Sequence, residues 1–167
     1  MFDTIAGLPL HPLVVHATEV IVPAAALAVL LAGAWPAFRR WARFLPLGLA
    51  LAALVLVPVT KESGESLEHR VGESALIETH SRLADGLLPW VVLLVAVAAG
   101  LVWWHWDERG ASSARAPRWV ALVLAVAAVV AGAGTTVQAV LVGHSGATAT
   151  WSEDMSTPAP AGGDADE

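Results

Sequence analysis

Cysteine is absent from the 167-residue chain. That excludes disulfides, thiolate metal sites, iron–sulfur ligation and covalent attachment of a c-type haem. Charge is scarce too: 14% of residues are Asp, Glu, Lys or Arg, where a soluble domain carries roughly a quarter. A water-facing surface needs charge, and a lipid-facing one does not tolerate it. Catalytic signatures are missing. There is no G-x-S-x-G, no H-E-x-x-H and no phosphate-binding glycine loop, so no enzyme chemistry is indicated for the chain on its own. Basic residues number nine against fifteen acidic ones, which argues against nucleic acid as a partner. No basic stretch precedes the first apolar run, and that run is too long for a signal-peptide core.

What is present is hydrocarbon. The chain is 56% hydrophobic, with a mean hydropathy of +0.64. About 20 apolar residues rising ~1.5 Å each cross a ~30 Å bilayer core. Four helices of that order are expected, over about 13–34, 44–60, 74–106 and 119–144. The third includes an amphipathic extension, because Leu76, His80, Ala84 and Leu87 recur at helical spacing. The expected fold is all-α, an integral membrane up-down four-helix bundle in residues 1–151. Short connections make neighbours antiparallel, so the first and third segments lie diagonally. Gly132 and Thr136 have the small-xxx-small spacing that lets membrane helices approach. Residues 152–167 are acidic and rich in Pro, Gly and Ala, and read as a disordered tail.

Arginine sets the orientation. Arg39, Arg40, Arg43, Arg109, Arg115 and Arg118 share one end, while Lys61, Arg70 and Arg82 share the other with thirteen of the acids. The first end is expected inside and both termini outside, in a bacterial cytoplasmic membrane. The tryptophans largely mark the two interfaces, without any cofactor.

Five of six histidines fall at the outer end: His11, His16, His69, His80 and His144. His16 and Glu19 are one turn apart inside the first segment, and ionisable groups in a membrane helix point to function by default. Pro23 leaves the Glu19 carbonyl without a helical donor, and Pro89 does the same for Asp85. His11, before Pro12, reads as a helix cap. His69 reads as solvated, and His105 as an anchor at the inner interface. His80 lies on an apolar stripe, and His144 ends the last helix. Three helices thus each bring an imidazole to one end, and imidazole ligates haem iron, zinc and copper.

The motifs HPLVVH, SGESLEHRV with THSRLAD, and GHSGATATW resemble a bacterial membrane domain of unknown function, family two-two-three-one. The likeness covers about residues 8–151. The matching positions are His11, Pro12, His16, Gly64, Glu65, His80, Gly143, His144, Ser145 and Gly146. Thr18 stands where many members have proline. The family has no settled activity. Some members look fused to Rieske-type or cytochrome-type redox domains, so the resemblance implies an electron-transfer setting with a redox protein or quinone as partner.

Three readings stay open. In the first, a b-type haem is held by His16 and His80, with His144 and Glu19 beside it or touching a quinone. Lys61, Arg70 or Arg82 would then pair with the propionates. In the second, His16, His80 and His144, with Glu19 or Glu65, hold Zn or Cu; the lack of Cys and only two Met argue against Cu(I). In the third there is no cofactor. The histidines are hydrogen-bonding ties in a structural or accessory subunit, whose small-residue faces could also serve a homo-oligomer.

Overall fold

A computed structural model describes residues 4–5, 7–72, 74–110 and 118–156. Thr4–Ile5 (β1) and Leu8–Pro9 (β2) make a two-residue antiparallel pairing. Among the described residues six helices follow it: α1 Leu10–Ala34, α2 Pro36–Ala42, α3 Leu45–Val71, α4 Ala75–Asp85, α5 Leu87–Gly110 and α6 Arg118–Ser156.

Four of these spans are long and apolar enough to cross a membrane, with α4 and α5 counted as one. α1 packs mainly on α3 and α6, and α5 packs on the same two helices. α1 and α5 therefore sit across the bundle from each other, as the short connections require.

The core is built from small residues. Ala25, Ala26, Ala32, Ala50, Ala53, Ala98, Ala128 and Ala131 are buried, with Val22, Val29, Val91 and Leu94 between them. Large apolar side chains such as Leu122, Val123, Val126 and Val140 face outward. This is the arrangement lipid favours. Hydrocarbon outside gives no hydrophobic drive, so close backbone approach must hold the helices together. Gly132 makes that approach. A Cβ there would stand 3.1 Å from both the Ala26 carbonyl and Leu30 Cβ, so α6 and α1 touch along this face. Gly134 receives the ring of Trp90 in the same way.

The polar end departs from the expected boundaries. α3 does not stop near residue 60 but continues through Lys61–Val71. It ends at Gly72, whose φ of +91° is a conformation side chains disfavour and whose N–H donates to the Glu68 carbonyl at 2.9 Å. Ser74 then starts α4, its hydroxyl accepting from the Ile77 N–H at 3.2 Å. α4 and α5 are separated only by a turn at Gly86. Pro89 has no N–H for the Asp85 carbonyl, so the helix tightens there, and the Gly86 N–H reaches Leu83 O at 3.1 Å. The Gln138 amide donates to that same carbonyl at 2.6 Å. An amide inside the bilayer is thus spent tying α6 to the α4–α5 break.

α6 runs past His144 to Ser156, so residues 152–156 are helical. The remainder of the expected tail, 157–167, lies outside the described residues, as does Arg115 in the 111–117 connection.

Candidate functional site at the histidine-rich end

Beyond the apolar segments, the first turn of α1, the last turns of α3, all of α4 and the last turns of α6 lie together. Two histidines join them.

His11 sits on α1 at the head of a heptad stripe with Thr18, Ala25 and Ala32, all three buried. Its Nδ1 donates to Thr60 O at 3.0 Å and lies 3.1 Å from Ser63 Oγ, both on α3. The Ser63 hydroxyl donates to the same Thr60 carbonyl at 2.8 Å. The imidazole abuts Gly64, where a Cβ would come within 3.0 Å of His11 Cε1. One turn deeper, the hydroxyls of Thr18 and Thr60 bond at 2.6 Å.

His80 repeats this on the other half of the bundle. It heads the heptad stripe Leu87, Leu94 and Leu101, all buried. Its Nδ1 donates to Val142 O at 3.2 Å and lies 3.0 Å from Ser145 Oγ on α6. Ser145 donates to Val142 O at 2.8 Å, and a Cβ on Gly146 would come within 3.0 Å of His80 Cε1. Each helical hairpin therefore closes with the same clasp, a histidine from its first strand of helix gripping a Ser-Gly pair on its second.

The clasp fixes the tautomer. A carbonyl only accepts, so Nδ1 must carry the proton and Nε2 of the neutral ring keeps the lone pair. Among the described residues no hydrogen bond reaches Nε2 of either ring.

The other expected site residues are placed differently. His16 is exposed and its Nδ1 turns back to the Pro12 carbonyl of its own helix. Glu19 is exposed, and so is His144. Among the described residues, no three His, Asp or Glu side chains come together as a metal group. Lys61 bridges α3 to α4 through Asp85 at 2.7 Å, with Glu65 at 3.7 Å. Arg82 reaches Glu78 only at 4.0 Å. His105, read as an interface anchor, is instead turned into the bundle and 6% exposed.

His11, read as a helix cap, is instead the second residue of α1 and acts as an interhelical donor, while Ser63 and Ser145 carry roles that no reading of the histidines alone supplies. The available signal was the heptad phase. His11 and His16 are five residues apart, roughly 140° around a helix, so only one of them can share a face with Thr18.

A family profile described as a predicted membrane protein (DUF2231) matches residues 7–158. No curated protein and no solved structure matches the chain.

Proposed function

The chain belongs to the DUF2231 family of predicted membrane proteins, and on that footing we propose that its histidine-rich end is a two-imidazole electron-transfer site for a b-type haem. His11 and His80 are the ligands in this reading, in place of the pair His16 and His80 that the sequence suggests.

The observation that carries it is the matched anchoring of the two rings. Each Nδ1–H is spent on a carbonyl of the partner helix, which orients the ring and leaves Nε2 as the coordinating atom. Donor counting favours haem over a bare ion. Zinc sites take three or four protein donors, and the described residues bring no such set together. A porphyrin would bring its own nitrogen donors and would need only imidazoles such as those of His11 and His80 from the protein.

Haem bound there would supply one-electron chemistry. The chain's part would be to hold the rings and present cations such as Arg82 for the propionates. The arginines at the opposite end favour that end as cytoplasmic. The site then faces outward from the cytoplasmic membrane, toward a quinone headgroup or a docking redox protein.

A second reading rests on the clasps being satisfied within themselves. Each ring packs on a glycine and bonds a Ser and a carbonyl without any ligand. The pair would then lock the ends of α3 and α6 in a non-catalytic accessory subunit. Oxidised and dithionite-reduced spectra of detergent-purified protein from haem-replete cells separate the two. A Soret band is expected; a colourless protein removes the haem reading and leaves the structural one.

A further inference from the structure

At the opposite end of the bundle a cavity of about 130 Å³ opens between the start of α3 and the end of α5, lined by Arg43, Phe44, Val102, His105 and Trp106. We propose that this cavity binds the phosphodiester headgroup of an anionic membrane lipid.

Its size is that of about four waters at roughly 30 Å³ each, enough for one tetrahedral phosphate group. Its chemistry divides in two. Arg43 supplies the cation and His105, 6% exposed, a second nitrogen-bearing ring at the inner wall. Phe44 and Trp106 meet edge to face with centroids 5.8 Å apart and form an apolar wall. Both are more than half exposed on the lipid-facing side of the bundle. A free phosphate has no use for that wall, whereas a lipid's acyl chains continue along it.

The depth fits. Trp103 and Trp106, both exposed, mark this level of α5 as the headgroup zone. The field fits as well. Arg39, Arg40 and Arg43 lie within and just after α2, which carries no acid, and basic pockets between membrane helices suit anionic headgroups. The N-terminus of α3 at Phe44 has no side-chain cap and adds its positive end to the same space.

The test is lipid retention. Full-length protein is reconstituted in nanodiscs of phosphatidylcholine with a minor fraction of phosphatidylglycerol, re-extracted, and its bound lipid measured by mass spectrometry. Wild type is expected to retain phosphatidylglycerol above its bulk fraction. Arg43→Gln should reduce that enrichment about fivefold, the effect of one basic residue at a charged headgroup. Arg40→Gln makes the same charge change outside the cavity and should leave it intact. Arg43→Gly guards against misfolding. Arg43 has φ +44°, where glycine is at ease, so this variant should stay folded and still lose the enrichment. Equal losses in the Arg40 and Arg43 variants would reduce the effect to surface charge and overturn the proposal. So would a wild type without preference, or inorganic phosphate raising the Tm in pure phosphatidylcholine discs as far as phosphatidylglycerol does.

Discussion

His80 lays its imidazole against Gly146, with Cε1 3.0 Å from the point where a side chain would begin. His11 stands over Gly64 at the same 3.0 Å. Two hairpins of unrelated loop length have arrived at one closure: a histidine at the head of a buried heptad stripe, a carbonyl to accept from Nδ1 with a serine hydroxyl beside it, and a glycine to admit the ring. Lipid explains why a closure is needed. The membrane-spanning parts are held mainly by small-residue contact, and the helix ends beyond the bilayer need polar ties to stay aligned.

Gly64→Ala and Gly146→Ala should each destabilise the protein by about 1–3 kcal/mol, the usual cost of forcing a methyl into a filled contact. The ring cannot retreat without giving up the carbonyl of Thr60 or Val142. Thermal unfolding of both variants in one detergent checks this. Comparable drops in Tm are expected. An unchanged Tm for either would show that its ring is free to move aside and that the contact fixes nothing.

Ser63→Ala and Ser145→Ala should cost less, about 0.5–1.5 kcal/mol each. Removing the hydroxyl leaves Nδ1 its carbonyl acceptor at 3.0 or 3.2 Å, so no buried donor is orphaned. The glycine variants should therefore rank below the serine variants in stability. The reverse order would mean that the serine, not the carbonyl, orients the ring.

The Lys61–Asp85 pair is the shortest ion pair at this end among the described residues, at 2.7 Å, yet the side chains are 45% and 52% exposed. Exposed pairs contribute little and weaken with salt. Asp85→Asn should then shift Tm little, and less still at high ionic strength. A salt-insensitive loss larger than that would place the pair in a drier setting than its exposure indicates.

The four spans, their diagonal order and the close approach at Gly132 were readable from the chain because the bilayer leaves few alternatives for a long apolar run. The polar end was harder, for reasons specific to its residues. Lys61–Val71 has charges on most faces, so it gives no apolar periodicity, and its helicity comes from propagation out of the membrane up to Gly72. His16 drew attention by its depth and by Glu19 at the next turn. Helix phase decides otherwise: His11, not His16, lies in line with Thr18, Ala25 and Ala32. For His80 the apolar stripe did point inward, and Leu87 below it is buried. Its partner on α6 was hidden because His144 is the more conspicuous neighbour of Ser145.

The two candidate ligand pairs make opposite predictions, which gives the haem proposal its sharpest test. His16 is exposed and bonded to its own helix, so His16→Ala should leave the spectrum of the purified protein as it was. His11→Ala and His80→Ala each remove one oriented Nε2, so each should convert a six-coordinate low-spin spectrum to a five-coordinate one, and the double variant should be colourless. Imidazole added to the single variants should restore the low-spin bands, since the space left by the ring accepts it. A protein that loses its haem with His16→Ala and keeps it with His11→Ala would return the site to the exposed face of α1's second turn, and the clasp at Ser63 would then be a structural tie alone.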